Sequence, residues 1–517
     1  MATSTRRKFT RNILSNTATY GMNIVVAFLL SPFVVHALGD VLYGFWTLVI
    51  SLTGYCGLLD LGVRSAVGQY VTRYWAKEDM EGVNKTLNTA MILLAGIAGI
   101  AVIATGILAW MLPRWIGGGG PEVVQAQWAM VISGVGVSLG LPLAIFSTVT
   151  YARQRFDIES GIGISAQITR ALLTVAALKL GFGIMGIVVV VTGMNLSASV
   201  VRLIVARKLM PRLRFAPALF NRASVRELGS YGFFNFLINA AERIVLYTDA
   251  VVIGTVLGAT ALTYYAIGGN LIPYFLSMIS AITWTITPYA TSCDARGERD
   301  KLVQALLVGT RGTLFLASVI AGGLLLMGKD FLALWMGAKY VASGGSYTSS
   351  AVILTVLTWA GLVRASQSCG MQVLFGMRKE RFLASIAAGE AIANLILSVI
   401  LVHCVGAIGV AFGTLIPVAV LRGGLQSRFL VRLLAIPRRR YFVMLFRACV
   451  PVMISMWLMT LGVRAWNLQA DSWPRFLLKG AVLAAPVPLV GLFVAMTRDE
   501  RRDLLRRIFK RGLESAA

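Results

Sequence analysis

Charged side chains are scarce in this sequence. Only 14% of its 517 residues are Asp, Glu, Lys or Arg, whereas 57% are hydrophobic, and the mean hydropathy is +0.76. An ordinary soluble chain is about 45–50% apolar and about 25% charged. A soluble core of this size would need a charged shell that these few residues cannot build. The deficit excludes an ordinary soluble protein and indicates a membrane protein.

Residue patterns that support catalysis or metal binding are also rare. The chain has two histidines, His36 and His403, and five cysteines without a CxxC pair. It contains no Walker A, GxSxG or HExxH sequence, so direct use of ATP and the corresponding hydrolases are not expected. We predict no catalytic residues, no disulfide framework and no metal site other than one for Na⁺.

Long apolar runs are abundant, and each is long enough for a membrane helix of about 20 residues. Fourteen runs qualify, and they cover residues 13–36, 41–63, 87–112, 123–150, 160–180, 184–206, 229–254, 260–290, 302–327, 347–375, 382–403, 406–431, 441–463 and 475–496. The sequence therefore predicts an all-α polytopic membrane protein with about 14 transmembrane helices.

The basic residues predict the orientation of these helices. The net charge is +26, and with a cytoplasmic N-terminus about 34 of the 48 Lys and Arg fall in cytoplasmic segments. This asymmetry predicts that both termini are cytoplasmic. The basic loops are then explained by topology and by contact with anionic lipid headgroups, so no nucleic-acid partner is expected.

An internal repeat divides the chain. At a shift of 219 residues, Leu38-Gly39 aligns with Leu257-Gly258, and at 223 residues Gly183–Gly186 aligns with Gly406–Gly409. The repeat predicts two pseudo-symmetric six-helix lobes with parallel orientation and a substrate site between them. The predicted segments are an N-terminal lobe, a basic cytoplasmic linker, a C-terminal lobe, two additional helices and a basic cytoplasmic tail, at 1–210, 211–228, 229–432, 433–497 and 498–517.

Polar residues recur on one face of the first span. Asn12, Asn16, Thr19 and Asn23 are spaced by four, three and four residues. The seventh span repeats the pattern with Asn235, Asn239, Glu242 and Asp249. The amides Asn16, Asn23, Asn235 and Asn239 are candidates for a substrate-lining surface. A hydrogen-bonded seam between helices explains them equally well.

Arginines inside the predicted spans form a second candidate group. Arg170, Arg243, Arg311 and Arg364 lie deep in their spans, and Arg64 lies at the inner end of the second. Arg422, nearer the inner face, is expected to extend toward the headgroups. Guanidinium groups bind phosphate oxygens in a bidentate manner, so the deep arginines predict a cationic lumen for an anionic substrate. The alternative is internal salt bridging of Arg243 or Arg311 with Glu242 or Glu390.

Glu390 and Asn394 lie four residues apart on one face of the eleventh span. Together with Glu242 or Asp249 they could form a cation or proton site, because carboxylate and amide oxygens suit a hard cation and a buried carboxylate can carry a proton. We therefore expect Na⁺ or H⁺ coupling and no other cofactor.

Three stretches resemble the polysaccharide flippases, the Wzx-type O-antigen and exopolysaccharide transporters of the multidrug/oligosaccharidyl-lipid/polysaccharide superfamily. They are LGDVLYGFWTLVISLTGYCGLLDLGVRSAVGQY from Leu38, TDAVVIGTVLGATALTYYAIGGNL from Thr248, and Ile392–Gly413. The resemblance covers about residues 10–430. It implies a MATE-like fold and a flippase that moves undecaprenyl-diphosphate-linked oligosaccharide across the bacterial inner membrane to the periplasmic leaflet.

The same resemblance implies partners and an ion site. Expected partners are the polyprenyl-diphosphate-linked oligosaccharide, membrane lipids and, as a further candidate, the glycan polymerase machinery, and the protein is expected to be a monomer. In related lipid II flippases a sodium site joins a span-7 carboxylate to polar residues of span 11. Asp249, Glu390 and Asn394 occupy similar positions, although the order of acid and amide in span 11 is reversed here.

Three alternatives remain open. A drug/cation antiporter of the same fold often carries an acid in span 1, and residues 12–36 contain none. A lipid II flippase would share the fold, but the stretch from Leu38 resembles the polysaccharide branch more. A membrane glycosyltransferase or ligase would need large external loops, whereas the longest predicted one is 329–346, with Asp330 as its only acid.

Overall fold

The computed structural model describes residues 2–60, 62–116, 118–222, 224–226, 233–342, 345–465 and 470–494. Within these ranges the secondary structure is helical, with short connecting turns and no strand. The chain divides into two compact units, Met1–Thr263 and Tyr264–Ala517. The boundary lies within a helix of the eighth predicted span.

Within the described residues, nine helices with defined ends lie in the first unit or reach its boundary. They are α1 (Ala2–Cys56), α2 (Val63–Ala76), α3 (Met80–Ile116), α4 (Pro121–Leu143), α5 (Ser147–Ala152), α6 (Phe156–Lys179), α7 (Gly183–Leu209), α8 (Phe233–Val256) and α9 (Ala259–Gly269). Short 3₁₀ turns occur at Gly57–Asp60, Ala144–Phe146 and Pro217–Leu219.

The second unit continues the same architecture. Its further helices are α10 (Leu271–Thr283), α11 (Ile286–Ala295), α12 (Arg299–Trp335), α13 (Ser350–Gly376), α14 (Glu380–Val405), α15 (Ala407–Pro417), α16 (Ser427–Leu433), α17 (Arg438–Ala465), α18 (Trp473–Ala484) and α19 (Val487–Val494). A 3₁₀ turn forms at Ala338–Val341, and a π-helical segment at Val418–Gln426 joins α15 to α16.

The described part of the chain contains 12 helical stretches that are long and apolar enough to cross a membrane. Two features account for the difference from the fourteen predicted spans. The first stretch, Gly21–Cys56, is one helix with a kink at Gly39, where two spans are predicted. Helix α8 has spanning length but carries Glu242, Arg243 and Asp249, and it is not among the 12.

The helices expose large apolar side chains and pack through small ones. Ile103 and Leu172 are each 66% exposed, as expected for surfaces that face lipid. Between α3 and α4, a Cβ on Gly134 would lie 2.1 Å from the Thr105 methyl group, and between α14 and α15 one on Gly413 would lie 2.4 Å from Ser398 Oγ. Small residues at these contacts let the helix backbones approach closely.

Equivalent turns of the two halves have matching backbone geometry. Gly39 and Gly258 both have positive φ, at 74° and 88°. In the turn after α2, Asp79 N donates to Tyr74 O at 3.0 Å, and 219 residues later Glu298 N donates to Cys293 O at 2.9 Å. These matches support the repeat seen in the sequence, although the predicted boundaries of the lobes stay predictions.

The basic segment after α7 is held against α3 by buried polar side chains. Asn84 accepts from Arg214 N at 3.1 Å and donates to Arg212 O at 3.2 Å. Asn88 accepts from Ala216 N at 3.0 Å and donates to Arg214 O at 2.7 Å. These bonds fix 212–216 along one helix of the first unit.

The long external loop predicted at 329–346 is shorter in the structure. Helix α12 continues to Trp335, so Asp330 lies within the helix. Its carboxylate accepts from Lys479 Nζ of α18 at 2.6 Å. The prediction placed Asp330 in a loop and was wrong because the apolar run ends two turns before the helix does.

Candidate functional site

The first unit contains an open cavity of about 1010 Å³ between α2, α5 and the start of α6. Its lining residues are Arg64, Gly68, Gln69, Thr72, Arg73, Ala76, Ser147, Thr148, Thr150, Tyr151, Phe156 and Glu159. The wall combines two arginines, one carboxylate, one amide, four Ser or Thr hydroxyl groups and two aromatic rings. A space of this size with charged and polar side chains inside a membrane protein is a candidate binding site.

Ion pairs fix the acidic groups at this cavity. The Glu159 carboxylate accepts from Arg202 Nε at 2.8 Å and from Thr150 Oγ1 at 3.3 Å. Asp157 accepts from Arg155 Nε at 3.0 Å. The exposed side chains of Arg64 and Arg73 also line the cavity. With two arginines and one carboxylate, the lining carries one net positive charge.

The C-terminal end of α1 packs against α8 in the same unit. The Tyr55 hydroxyl lies 3.1 Å from Thr248 Oγ1, and the rings of Tyr55 and Tyr247 meet edge to face at 5.6 Å. Asp249 follows directly and is only 8% exposed. The guanidinium of Arg243 lies over Gly57, at 3.2 Å from the position that a Cβ there would take.

The second unit contains a buried ionic cluster, which we call the Arg-Glu-Arg cluster: Arg364, Glu390 and Arg422. Arg364 donates to Glu390 Oε1, and Arg422 Nε donates to Glu390 Oε2. The side chains are 20%, 1% and 10% exposed, in that order. The cluster holds two cations and one anion, so it carries one net positive charge.

The position of Arg422 differs from the one expected from the sequence. It lies in the π-helical segment and is buried, whereas the sequence suggested that it extends toward the headgroups. The salt-bridge alternative proposed Arg243 or Arg311 as partner of Glu390, and in the structure the partners are Arg364 and Arg422. Position along a span does not show which spans are neighbours, so this pairing could not be predicted from the sequence.

The other predicted residues are dispersed. Asn394 Nδ2 donates to Thr414 Oγ1 at 3.0 Å, and Arg170 donates to Gln167 one turn earlier. Arg311 and Glu242 are half-buried in α12 and α8. Asn23 is half-buried and Asn239 is exposed, while the side chains of Asn16 and Asn235 lie outside the part of the chain that the structure describes.

The structure also identifies residues that the sequence reasoning missed. Arg73, Tyr151 and Phe156 line the cavity with Arg64. The spacing Arg64, Gly68, Thr72, Ala76, at four-residue intervals along α2, was a usable signal for one helix face. Tyr151 and Phe156 flank a turn, and nothing in their spacing distinguishes them from ordinary aromatic residues at membrane helix ends.

Comparisons with known proteins agree with this architecture. The family of polysaccharide biosynthesis proteins matches residues 38–344. The chain is 20% identical over 522 residues to the "Uncharacterized membrane protein EpsK" of Bacillus subtilis, covering 97% of this chain and 98% of the relative. It is 22% identical to the "Putative O-antigen transporter" of Shigella flexneri, covering 78% and 93%.

Solved structures confirm the predicted fold class. The "Lipid II flippase MurJ, inward closed conformation" matches with a TM-score of 0.67 and 14% identity, covering 94% of this chain and 99% of that one. The "Inward-facing conformation of a multidrug resistance MATE family transporter of the MOP superfamily" is also similar, with a TM-score of 0.61 and 16% identity, covering 81% of this chain and 95% of that one. The chain belongs to the polysaccharide biosynthesis protein family, and its curated relatives include the "Putative O-antigen transporter" and the "Probable flippase AglR" of Haloferax volcanii.

Proposed function

We propose that the protein flips an undecaprenyl-diphosphate-linked oligosaccharide from the cytoplasmic to the periplasmic leaflet of the bacterial inner membrane by alternating access. The observation that carries the proposal is the cavity of about 1010 Å³ whose lining includes Arg64 and Arg73. Guanidinium groups suit the diphosphate of such a lipid. In this proposal the polyprenyl tail stays in the bilayer.

A flipping assay tests the proposal. The purified protein is reconstituted into liposomes with a fluorescent undecaprenyl-diphosphate-linked disaccharide, and a membrane-impermeant reductant then bleaches the outer leaflet. We expect the protein to expose the inner-leaflet lipid to the reductant, so that bleaching exceeds that of protein-free vesicles. The lipid should be recovered chemically unchanged, since no enzyme reaction is proposed. Bleaching equal to that of protein-free vesicles would contradict the proposal.

The antiporter alternative predicts a different cargo. A drug/cation antiporter would move a cationic dye such as ethidium, whereas a cavity with excess positive charge disfavours cations. The same liposomes therefore serve as a second assay. Dye transport without lipid flipping would replace the flippase proposal by the antiporter.

Coupling to Na⁺ or H⁺ is a further part of the proposal. Both oxygens of Glu390 accept from arginines, so an ion bound there would have to displace a guanidinium. Asp249 is buried in α8, and we propose this carboxylate as the one that binds the ion. We expect flipping to accelerate in a sodium or proton gradient and Asp249→Asn to remove that acceleration. Equal gradient dependence in wild type and variant would contradict the role of Asp249.

A further inference from the structure

An aromatic pair lines the cavity of the first unit. The rings of Tyr151 and Phe156 meet edge to face, with centroids 5.6 Å apart and an interplanar angle of 85°. Tyr151 is 55% exposed, although it lies in a helix that otherwise packs into the core. The ring therefore offers apolar surface to whatever enters the cavity.

The turn that carries the pair is rigidly built. Gln154 has a φ of 54°, an uncommon value for a residue with a side chain. Its N–H donates to Tyr151 O at 2.9 Å, and Arg155 N donates to Thr150 O at 2.9 Å. Backbone bonds on both sides of the aromatic pair fix its position, which is the condition for a precise binding surface.

Three hydroxyl groups of the cavity wall are positioned to accept hydrogen bonds from a ligand. Thr72 Oγ1 donates to Gly68 O at 2.7 Å, Ser147 Oγ to Ala144 O at 2.8 Å, and Thr148 Oγ1 to Ile145 O at 2.6 Å. Each hydroxyl proton is committed to the backbone, so each oxygen keeps lone pairs for an incoming donor. Gln69 and the two arginines of the wall supply donors in return.

This combination matches the chemistry of a sugar. A pyranose presents hydroxyls that both donate and accept around its edge, and apolar C–H groups on its faces. The volume lies at the upper end of the range of about 300–1,000 Å³ for small-molecule pockets. It is therefore large enough for more than one ring.

We propose that this cavity is the glycan subsite of the substrate, with the ring of Tyr151 stacking against a sugar face and the hydroxyls of Thr72 and Ser147 accepting from sugar hydroxyls. The proposal rests on the proposed function and adds to it, because it assigns the sugar, and not only the diphosphate, to the first unit.

Two lipid probes distinguish binding of the sugar from binding of the diphosphate. Binding of undecaprenyl diphosphate and of the same lipid carrying a disaccharide is measured with the full chain in nanodiscs. We expect Tyr151→Ala to weaken binding of the disaccharide lipid by about tenfold and to leave the sugar-free lipid unchanged. Tyr151→Phe, which keeps the ring, should bind both lipids like the wild type.

A matched control removes an aromatic ring elsewhere. Trp128 is 61% exposed on α4 and does not line the cavity. Trp128→Ala should bind both lipids normally.

The possible outcomes distinguish failure of the glycan subsite from failure of the proposed flippase function. Unchanged binding of both lipids by Tyr151→Ala overturns the glycan subsite and leaves the flippase intact. Equal weakening of both lipids by Tyr151→Ala also overturns it, since the ring would then serve the diphosphate or the fold. Failure of the wild type to bind either lipid overturns the proposed function itself.

Discussion

The two units place their charged residues in opposite ways. In the first unit, Arg64 and Arg73 stand exposed along a cavity, and the nearby Glu159 is already paired with Arg202. In the second unit, the Arg-Glu-Arg cluster is buried, and its only carboxylate contacts both cations. The arginines of the two units therefore differ in their surroundings: those of the first unit line a cavity, and those of the second pair with a buried carboxylate.

The largest expected effect is the loss of the cluster's carboxylate. Glu390→Ala leaves two buried guanidinium groups facing each other, and breaking a buried pair in this way costs about 3–5 kcal/mol. We expect a clearly lower unfolding temperature in detergent, followed by intrinsic fluorescence. The matched control is Asp471→Ala, which removes a pair with Arg475 in which both side chains are more than half exposed, and it should not change the midpoint measurably. An unchanged midpoint for Glu390→Ala would show that the cluster does not support the fold and that Glu390 is available for an ion.

A smaller loss of stability is expected at the anchor of the basic segment. Asn88 is 1% exposed and bonds to both Arg214 and Ala216. Asn88→Ala leaves these backbone groups without their partner, at a cost of about 1–3 kcal/mol. We expect trypsin to cleave after Arg212 and Arg214 faster than in the wild type, whereas Gln125→Ala on an exposed face should not alter the cleavage rate. An identical digestion pattern for Asn88→Ala would contradict the anchoring role.

Substitution in the cavity should change transport and not stability. Arg64→Ala and Arg73→Ala each remove one exposed charge-assisted donor, so we expect flipping in liposomes to slow by about tenfold for each. The unfolding midpoint should stay at the wild-type value. Arg222→Ala, an exposed arginine that does not line the cavity, is the control. If all three variants flip equally fast, the cavity is not the path of the anionic headgroup.

The orientation of the protein in the membrane, and with it the side on which the cavity lies, can be tested by cysteine labelling. Cys404 is exposed at the end of α14, on the side predicted to be external, whereas Cys56, Cys293 and Cys369 are buried. A membrane-impermeant maleimide applied to intact cells should label the protein, and Cys404→Ser should remove the label. Labelling that appears only after the membrane is permeabilised would reverse the predicted orientation and place the cavity on the external side.

Much of the fold could be read from the sequence because membrane helices must satisfy their own backbone, so long apolar runs become helices. Gly39 and Gly258 also marked equivalent positions, since positive φ favours glycine. The ion pairs could not be predicted in the same way. Arg422 lies in a π-helical segment and pairs with Glu390 of another helix, and position along a span does not show which spans are neighbours.

The candidate site was predictable only in part. Arg64 was recognised by its position at the end of a span, and it does line the cavity. Tyr151 and Phe156 were missed because their proximity depends on the turn at Gln154, whose positive φ is unusual for a residue other than glycine. Contacts that depend on a turn or on helix packing can be identified only from a three-dimensional structure.

The proposed flippase function is best tested by deleting the gene in its host and measuring two quantities together: the surface glycan and the lipid-linked oligosaccharide that faces the cytoplasm. We expect the surface glycan to be lost and the cytoplasm-facing lipid to accumulate. The wild-type gene should restore both, and the Arg64→Ala/Arg73→Ala double variant should restore neither at normal protein abundance. Normal surface glycan in the deletion strain, without accumulation of the lipid, would contradict the account.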